Sequence, residues 1–240
     1  MPNTNLAVTE PTNPTLASTV SKTLRQHGLS KVNFNFCGLT VTGSHFIRVA
    51  DAVDAGRIKC WTASVFKSQG KDELAKGMIV NARYDLEPNA MVFSDETFGS
   101  GPGEDRSIVH EAVHAAFDLD APTGKKTSTL SIDDESAAVL AVAFYIRLCD
   151  RPIGGFLMDA DGPEKPALAL VDSLADRTGD VPTWTGPYTF EPLDVQAIRN
   201  GTAMKWNFRS FIDTDGRPTD RSGAKYVYDG VPVCANNACK

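Results

Sequence analysis

Histidine is scarce in this sequence. Four occur among 240 residues: His27, His45, His110 and His114. Any two that fall in a ligand spacing therefore stand out. Long apolar runs are also missing. None approaches the ~20 residues of a membrane-spanning helix, so no membrane partner is expected. Basic residues form no stripe, and the net charge is −6 with a pI near 5.2. Nucleic acid is therefore not an expected partner either. The cysteines, Cys37, Cys60, Cys149, Cys234 and Cys239, are odd in number and scattered, which argues against a disulfide framework. The first three sit in apolar stretches and are expected to be buried small hydrophobes. Cys234 and Cys239 bracket a polar Ala-Asn-Asn-Ala and lack the two further ligands of a zinc knuckle. They are placed to close a small loop in an oxidising compartment. The chain does not open with basic residues followed by an apolar stretch. The expected location is cytoplasmic, or exported without a classical signal. Composition is otherwise ordinary, 42% hydrophobic and 22% charged, which marks a globular chain rather than a disordered one.

The stretch 106–120 reads Arg-Ser-Ile-Val-His-Glu-Ala-Val-His-Ala-Ala-Phe-Asp-Leu-Asp. It contains His110-Glu111-Ala112-Val113-His114, two histidines four apart around a glutamate. On a helix such histidines stack on one face and reach a single ion. Glu111 lies about 100° round the helix. It stands beside the metal rather than on it, placed to take a proton from bound water. Two neutral nitrogens, one further ligand and an open position make a catalytic zinc site. The helix context agrees. Gly99-Ser100-Gly101-Pro102-Gly103 breaks the chain just upstream, Glu104 and Asp105 supply acid at the helix start, and Asp105 or Ser107 is placed to cap it. Ile108, Val109, Ala112, Val113, Ala116 and Phe117 are apolar, so the helix is expected to be buried and the histidines and glutamate on it need partners. The alternative is an amphipathic helix with two half-buried histidines.

Twenty-one positions after His114 comes Glu135, in Ser131-Ile132-Asp133-Asp134-Glu135-Ser136. Here the sequence resembles the gluzincin metallopeptidases of the wider zincin group, over roughly residues 90–147. In those enzymes a glutamate on a second helix completes the zinc site. The resemblance implies that His110, His114 and Glu135 are the zinc ligands and Glu111 the general base. Small residues around it (Ala137, Ala138, Ala141, Ala143) allow the second helix to pack close to the first. One position departs from the family. Thermolysin-like members carry an aspartate one turn after the ligand glutamate, where this chain has Val139. Asp133 or Asp134 is then left to orient a histidine, as ligating imidazoles usually require. Asp120 is a rival third ligand, ten residues after His110 as in metzincin-like enzymes. Phe117 stands where those enzymes turn at a glycine. Asp118, one turn past His114, is either a support for the site or a solvated acid at a frayed helix end.

The coarse reading of the chain is an α+β fold. A small, mostly antiparallel sheet packs on the active-site helix and the second ligand helix, with a helical and loop-rich C-terminal part. Residues 1–20, rich in Pro, Thr, Asn and Ser, are expected to be a flexible lead-in. Residues 21–150 form the metal-binding core and 151–240 an extension packing on it. Within the core the patterns predict a short helix over 21–28 and a strand over 31–41. A helix then starts at Ser44 and runs to Ala55, followed by a strand over 57–66. Strands over 78–86 and 91–94 form a hairpin leading into the metal helix. Met91-Val92-Phe93 is a candidate edge for an extended peptide, or else a core strand. Helices are predicted over 165–177 and 190–200.

These features point to a zinc-dependent hydrolase, a metallopeptidase with Zn2+ as cofactor and a peptide or protein as substrate. The alternatives are a non-catalytic, metal-stabilised binding protein on the same scaffold, or an effector or toxin acting on a partner protein. Tyr145, Tyr188, Tyr226 and Tyr228 are candidate oxyanion donors, with His27 and His45 more remote. Asp159-Ala160-Asp161-Gly162 and Asp213-Thr214-Asp215-Gly216 echo calcium loops. Leu170 and Ala224 occupy the twelfth positions, where a glutamate is needed, so both are read as turns. The glycine loop lacks the Gly-Lys-Ser/Thr ending of a phosphate loop.

Overall fold

The computed structural model describes residues 11–68, 82–101, 103–123, 125–149, 164–178, 187–204, 225–228 and 230–231. Helix α1, Pro14–Leu24, begins earlier than composition implied, inside the expected lead-in. The Asn13 side chain accepts hydrogen bonds from the Thr15 and Leu16 amides at 3.0 and 3.2 Å. Pro14 sits at the first helical position, where its missing N–H costs nothing. Leu16, Val20 and Leu24 then recur every fourth residue and are buried. This start signal lies within a Pro- and Thr-rich stretch, which masked it. Residues 27–31 form a 3-10 turn in place of the end of the expected helix.

The single strand expected over 31–41 is a hairpin of β1, Asn33–Phe36, and β2, Leu39–Thr42. Cys37 and Gly38 make its two-residue turn with φ of 53° and 88°, the backbone that twists a tight hairpin correctly. Helix α2, Gly43–Asp54, is capped from Thr42 rather than Ser44. The Thr42 amide donates to His45 Nδ1 at 3.1 Å. The strand expected over 57–66 is shorter. β3 is Lys59–Thr62 and the chain then turns into helix α3, Ala63–Ser68, with Thr62 Oγ1 accepting from the Val65 amide. Strands β4, Ala82–Asp85, and β5, Ala90–Phe93, form the expected antiparallel hairpin. β5 also pairs in parallel with β3. Met91-Val92-Phe93 therefore lies at the centre of its sheet, all three residues buried, and is no edge.

Helix α4, Glu104–Asp120, carries the histidine motif. Its N-cap is Gly103, at φ 89°, instead of Asp105 or Ser107. The Glu104 carboxylate turns back to accept from the Gly99 and Gly101 amides at 2.8 and 2.6 Å. Strand β6, Thr127–Leu130, feeds directly into helix α5, Ser131–Leu148. Then follow α6, Glu164–Thr178, β7, Tyr188–Thr189, α7, Pro192–Met204, and β8, Lys225–Tyr228. β7 joins β1 in parallel and β8 pairs antiparallel with β6. The class is α+β. In place of one mostly antiparallel sheet, the described strands form two mixed three-stranded sheets and a two-stranded ribbon. No described helix is long and apolar enough to cross a membrane.

Helix α5 is the axis of the molecule. Every residue from Ser131 to Ile146 is buried, and α4, α6 and α7 all pack on it. Its alanines let α4 approach closely, while Phe144 stacks on Phe34 of β1 at 5.4 Å. One apolar cluster runs from Leu16 to Val231, so the described C-terminal elements share this core. The cysteines divide. Cys60 is buried as expected, and burial pushes its thiol up to about 12. Cys37 is exposed at the hairpin tip and Cys149 is half-buried at the end of α5. Cys234, Cys239 and both aspartate-rich turns lie outside the described residues.

Replacing Asn13 with alanine removes the cap of α1. The expected loss is about 1 kcal/mol of stability, the usual cost of such a change, with unchanged secondary structure. Urea unfolding followed by circular dichroism measures it. No loss would mean that residues 13–24 are not held as this helix.

Candidate metal centre

Helices α4 and α5 bring His110, His114 and Glu135 together. One donor atom from each lies within 4.8 Å of the others. His110 Nε2 is 3.2 Å from Glu135 Oε2, and His114 Nε2 is 3.7 Å from Oε1 of the same carboxylate. Ligands about 2.0–2.1 Å from a tetrahedral metal lie about 3.3 Å apart; the two imidazole–carboxylate distances are near that spacing, while the three donors as a set span up to 4.8 Å. The two imidazoles meet edge to face, centroids 5.1 Å apart. The four-residue spacing on α4 sets that pairing.

Helix α5 begins with three successive acids, Asp133, Asp134 and Glu135, all at most 7% exposed. Successive residues on a helix point about 100° apart, so each acid serves a different partner. Asp133 accepts from Arg199 Nε of α7 at 2.6 Å. Asp134, fully buried, takes His114 Nδ1 on one oxygen and the Tyr228 hydroxyl on the other. Glu135 faces the two Nε2 atoms. The positive end of the helix dipole helps hold this charge. Of the two aspartates expected to replace a carboxylate at Val139, Asp134 therefore orients the histidine. With Asp134 on Nδ1, Nε2 is left facing Glu135, the orientation in which a carboxylate behind the ring holds a metal-ligating imidazole.

Glu111 is half-buried. Its carboxylate accepts a hydrogen bond from the Tyr84 amide of β4 at 2.6 Å. Tyr84 also donates its hydroxyl to Asp118 Oδ2 at 2.8 Å. Asp118 is fully buried and bonded, also accepting from the Gly230 amide at 3.1 Å. It is no solvated acid at a frayed end. Asp120 stands apart, bound to His45 Nε2 at 3.2 Å and to Arg48. Burial works against its charge, but hydrogen bonds from His45 and Arg48 hold its carboxyl below the usual range. The rival ligand is thus committed elsewhere.

The tyrosines also divide. Tyr145 donates to Asp105 at 2.8 Å, Tyr228 to Asp134, and Tyr188 packs edge-on against Phe190. The Tyr226 side chain lies outside the described residues. His27 is exposed at the 3-10 turn.

Compared with protein-family models, curated proteins and solved structures, this chain matches none. The chemistry of the site has to be argued from its own groups.

Those groups could hold a cation. Burial disfavours a charged His114, yet the carboxylates of Asp134, Glu135 and Glu111 outweigh it and raise its pKa from 6.5 to about 10. Two imidazoles and a carboxylate, with a second carboxylate behind one ring, form a donor set that a transition metal satisfies. The Tyr84 and Gly230 amides were not legible as parts of this centre, and Tyr228 was expected only among the candidate oxyanion donors, not as the partner of Asp134. They arrive from positions 84, 228 and 230, and no local pattern marks these contacts.

The sign of the pH dependence follows. The folded pKa of His114 lies above its unfolded value. In metal-free protein its contribution is full below about pH 6.5 and is lost as pH rises through about 10. Zinc requires the imidazole without that proton. The rise in Tm caused by zinc is therefore expected to be large near pH 8 and to shrink toward pH 6, while EDTA-treated protein shows no such loss from this group. Thermal melts with zinc and with EDTA test this. A zinc shift independent of pH would remove His114 from the site.

Proposed function

We propose that this chain is a zinc-dependent hydrolase, a metallopeptidase in which Glu111 is the general base. The observation that carries the reading is the convergence of His110, His114 and Glu135 from two packed helices, backed by Asp134 on His114. Three protein donors are the number that catalytic zinc sites use, with water or substrate in the fourth place. Two nitrogens among them favour zinc over calcium and magnesium, which take oxygen ligands.

When bound, the metal supplies Lewis-acid activation of water and of an amide carbonyl. The chain does the rest. Asp134 keeps the His114 ring in one tautomer and one orientation. Glu111 takes a proton from the attacking water and hands it to the leaving nitrogen. The Tyr84 amide holds Glu111 Oε2, which fixes where that carboxylate stands. A peptide substrate is supported by β4, which lies at the border of its sheet among the described strands and packs on α4. Such a border offers backbone hydrogen bonds to an extended chain.

Glu111→Gln is expected to retain one zinc per chain and to lose peptide hydrolysis by about 10²- to 10⁴-fold, the range of a general base. His114→Ala is expected to lose the metal. Elemental analysis and a quenched-peptide library give the two readouts. Full turnover in Glu111→Gln would overturn the assigned role. Zinc in the wild type without cleavage of any peptide would leave a metal-stabilised binding protein.

A further inference from the structure

We propose that Tyr228, on the C-terminal strand, is a positioning residue of the metal centre. Its hydroxyl fixes Asp134 and, through it, the His114 ring. The inference rests on the metal reading above and adds to it a determinant from outside the two ligand helices.

Tyr228 is 3% exposed and Asp134 is fully buried. The phenol donates to Asp134 Oδ2 while Oδ1 meets His114 Nδ1. A carboxylate held on one oxygen only can swing about its Cβ–Cγ bond. Held on both, it presents Oδ1 to the ring at one angle. The Nε2 lone pair is then aimed where Glu135 and His110 point. Groups behind a ligating histidine commonly govern metal affinity in this way.

The strand is itself seated firmly. Tyr228 packs edge-on against Phe117 of α4, centroids 6.2 Å apart. Two residues on, the Gly230 amide donates to Asp118, one turn beyond His114 on α4. Gly230 has φ +85°, and a Cβ there would lie 2.6 Å from the Ala121 carbonyl oxygen. The chain thus presses against the end of α4 at a place only glycine fits. The two fully buried aspartates on these helices therefore each take a hydrogen bond from this short stretch, Asp134 from Tyr228 and Asp118 from Gly230.

The ring contact with Phe117 survives in Tyr228→Phe, which removes the hydroxyl alone. Tyr145→Phe is the matched control. It removes a buried phenol bonded to Asp105, again between α4 and α5, but does not touch His114. Zinc affinity would be measured on the full chain by competition with a chromophoric chelator. Tm of the EDTA-treated proteins would be measured alongside, and the visible spectrum with Co2+ in place of zinc. Tyr228→Phe is expected to bind zinc about 10- to 100-fold more weakly and to shift the Co2+ spectrum. Tyr145→Phe is expected to lower Tm and leave both unchanged. Asp134→Asn, which loses the charge and keeps the volume, is expected to weaken zinc at least as much as Tyr228→Phe, and carries the test if Tyr228→Phe fails to fold. Zinc held equally by wild type and Tyr228→Phe, or weakened equally by Tyr145→Phe, would overturn the proposal. A wild type that binds no zinc would overturn the metal reading itself and the inference with it.

Discussion

Asp134, Glu135 and Glu111 surround His114 where two largely buried helices meet. Like charges so placed repel, and each has given up hydration that a protein interior replaces only in part. They are tolerable where every oxygen has a partner and where positive charge sits among them. Hydrogen bonds from the Tyr228 hydroxyl to Asp134 and from the Tyr84 amide to Glu111 serve the first need. The His114 proton, or a metal in its place, meets the second. Much of the architecture serves this constraint. The alanines of α5 let α4 come close enough for His110 and His114 to reach Glu135. The three acids at the start of α5 are fanned by the helical pitch to three separate partners.

The constraint also explains why distant segments close over the centre. A buried carboxylate on α4 or α5 needs donors, and the backbone amides inside a helix are already committed to the helix's own hydrogen bonds. The donors come from β4, from the phenol of Tyr228 and from the Gly230 amide. Asp118 is satisfied by Tyr84 and Gly230 together. The sheet hairpin that presents Tyr84 and the ribbon that presents Tyr228 are both small. The hairpin packs on α4 and the ribbon on α5, and these polar ties add to both.

Some of this was legible in the linear sequence because it is local. The four-residue spacing of His110 and His114 fixes their face on any helix, and the acids in the first turn of α4 and at the head of α5 mark two helix starts. The hairpin of β4 and β5 shows in two apolar runs around a turn. Other local features were hidden by composition. Asn13-Pro14 opens α1 within a stretch that reads as unstructured, and Cys37-Gly38 splits an apparent single strand. Met91-Val92-Phe93 shows how far alternation reaches. The pattern marks a strand, but whether it lies at an edge depends on β3 pairing from thirty residues away.

What the sequence determined by itself is the chemistry available: two imidazoles on one helix face, a glutamate beside them and a cluster of acids twenty residues on. The choices among equivalents were left to tertiary structure. It put Glu135 beside the histidines and Asp120 against His45 and Arg48, and it turned Asp134 rather than Asp133 onto His114. It also brought Tyr228 across ninety-four residues to Asp134. The physical reason is that ligand choice depends on distances of a few ångströms between separate elements. Those distances come from how the core packs, through helix contacts that carry no signature in any single stretch of chain.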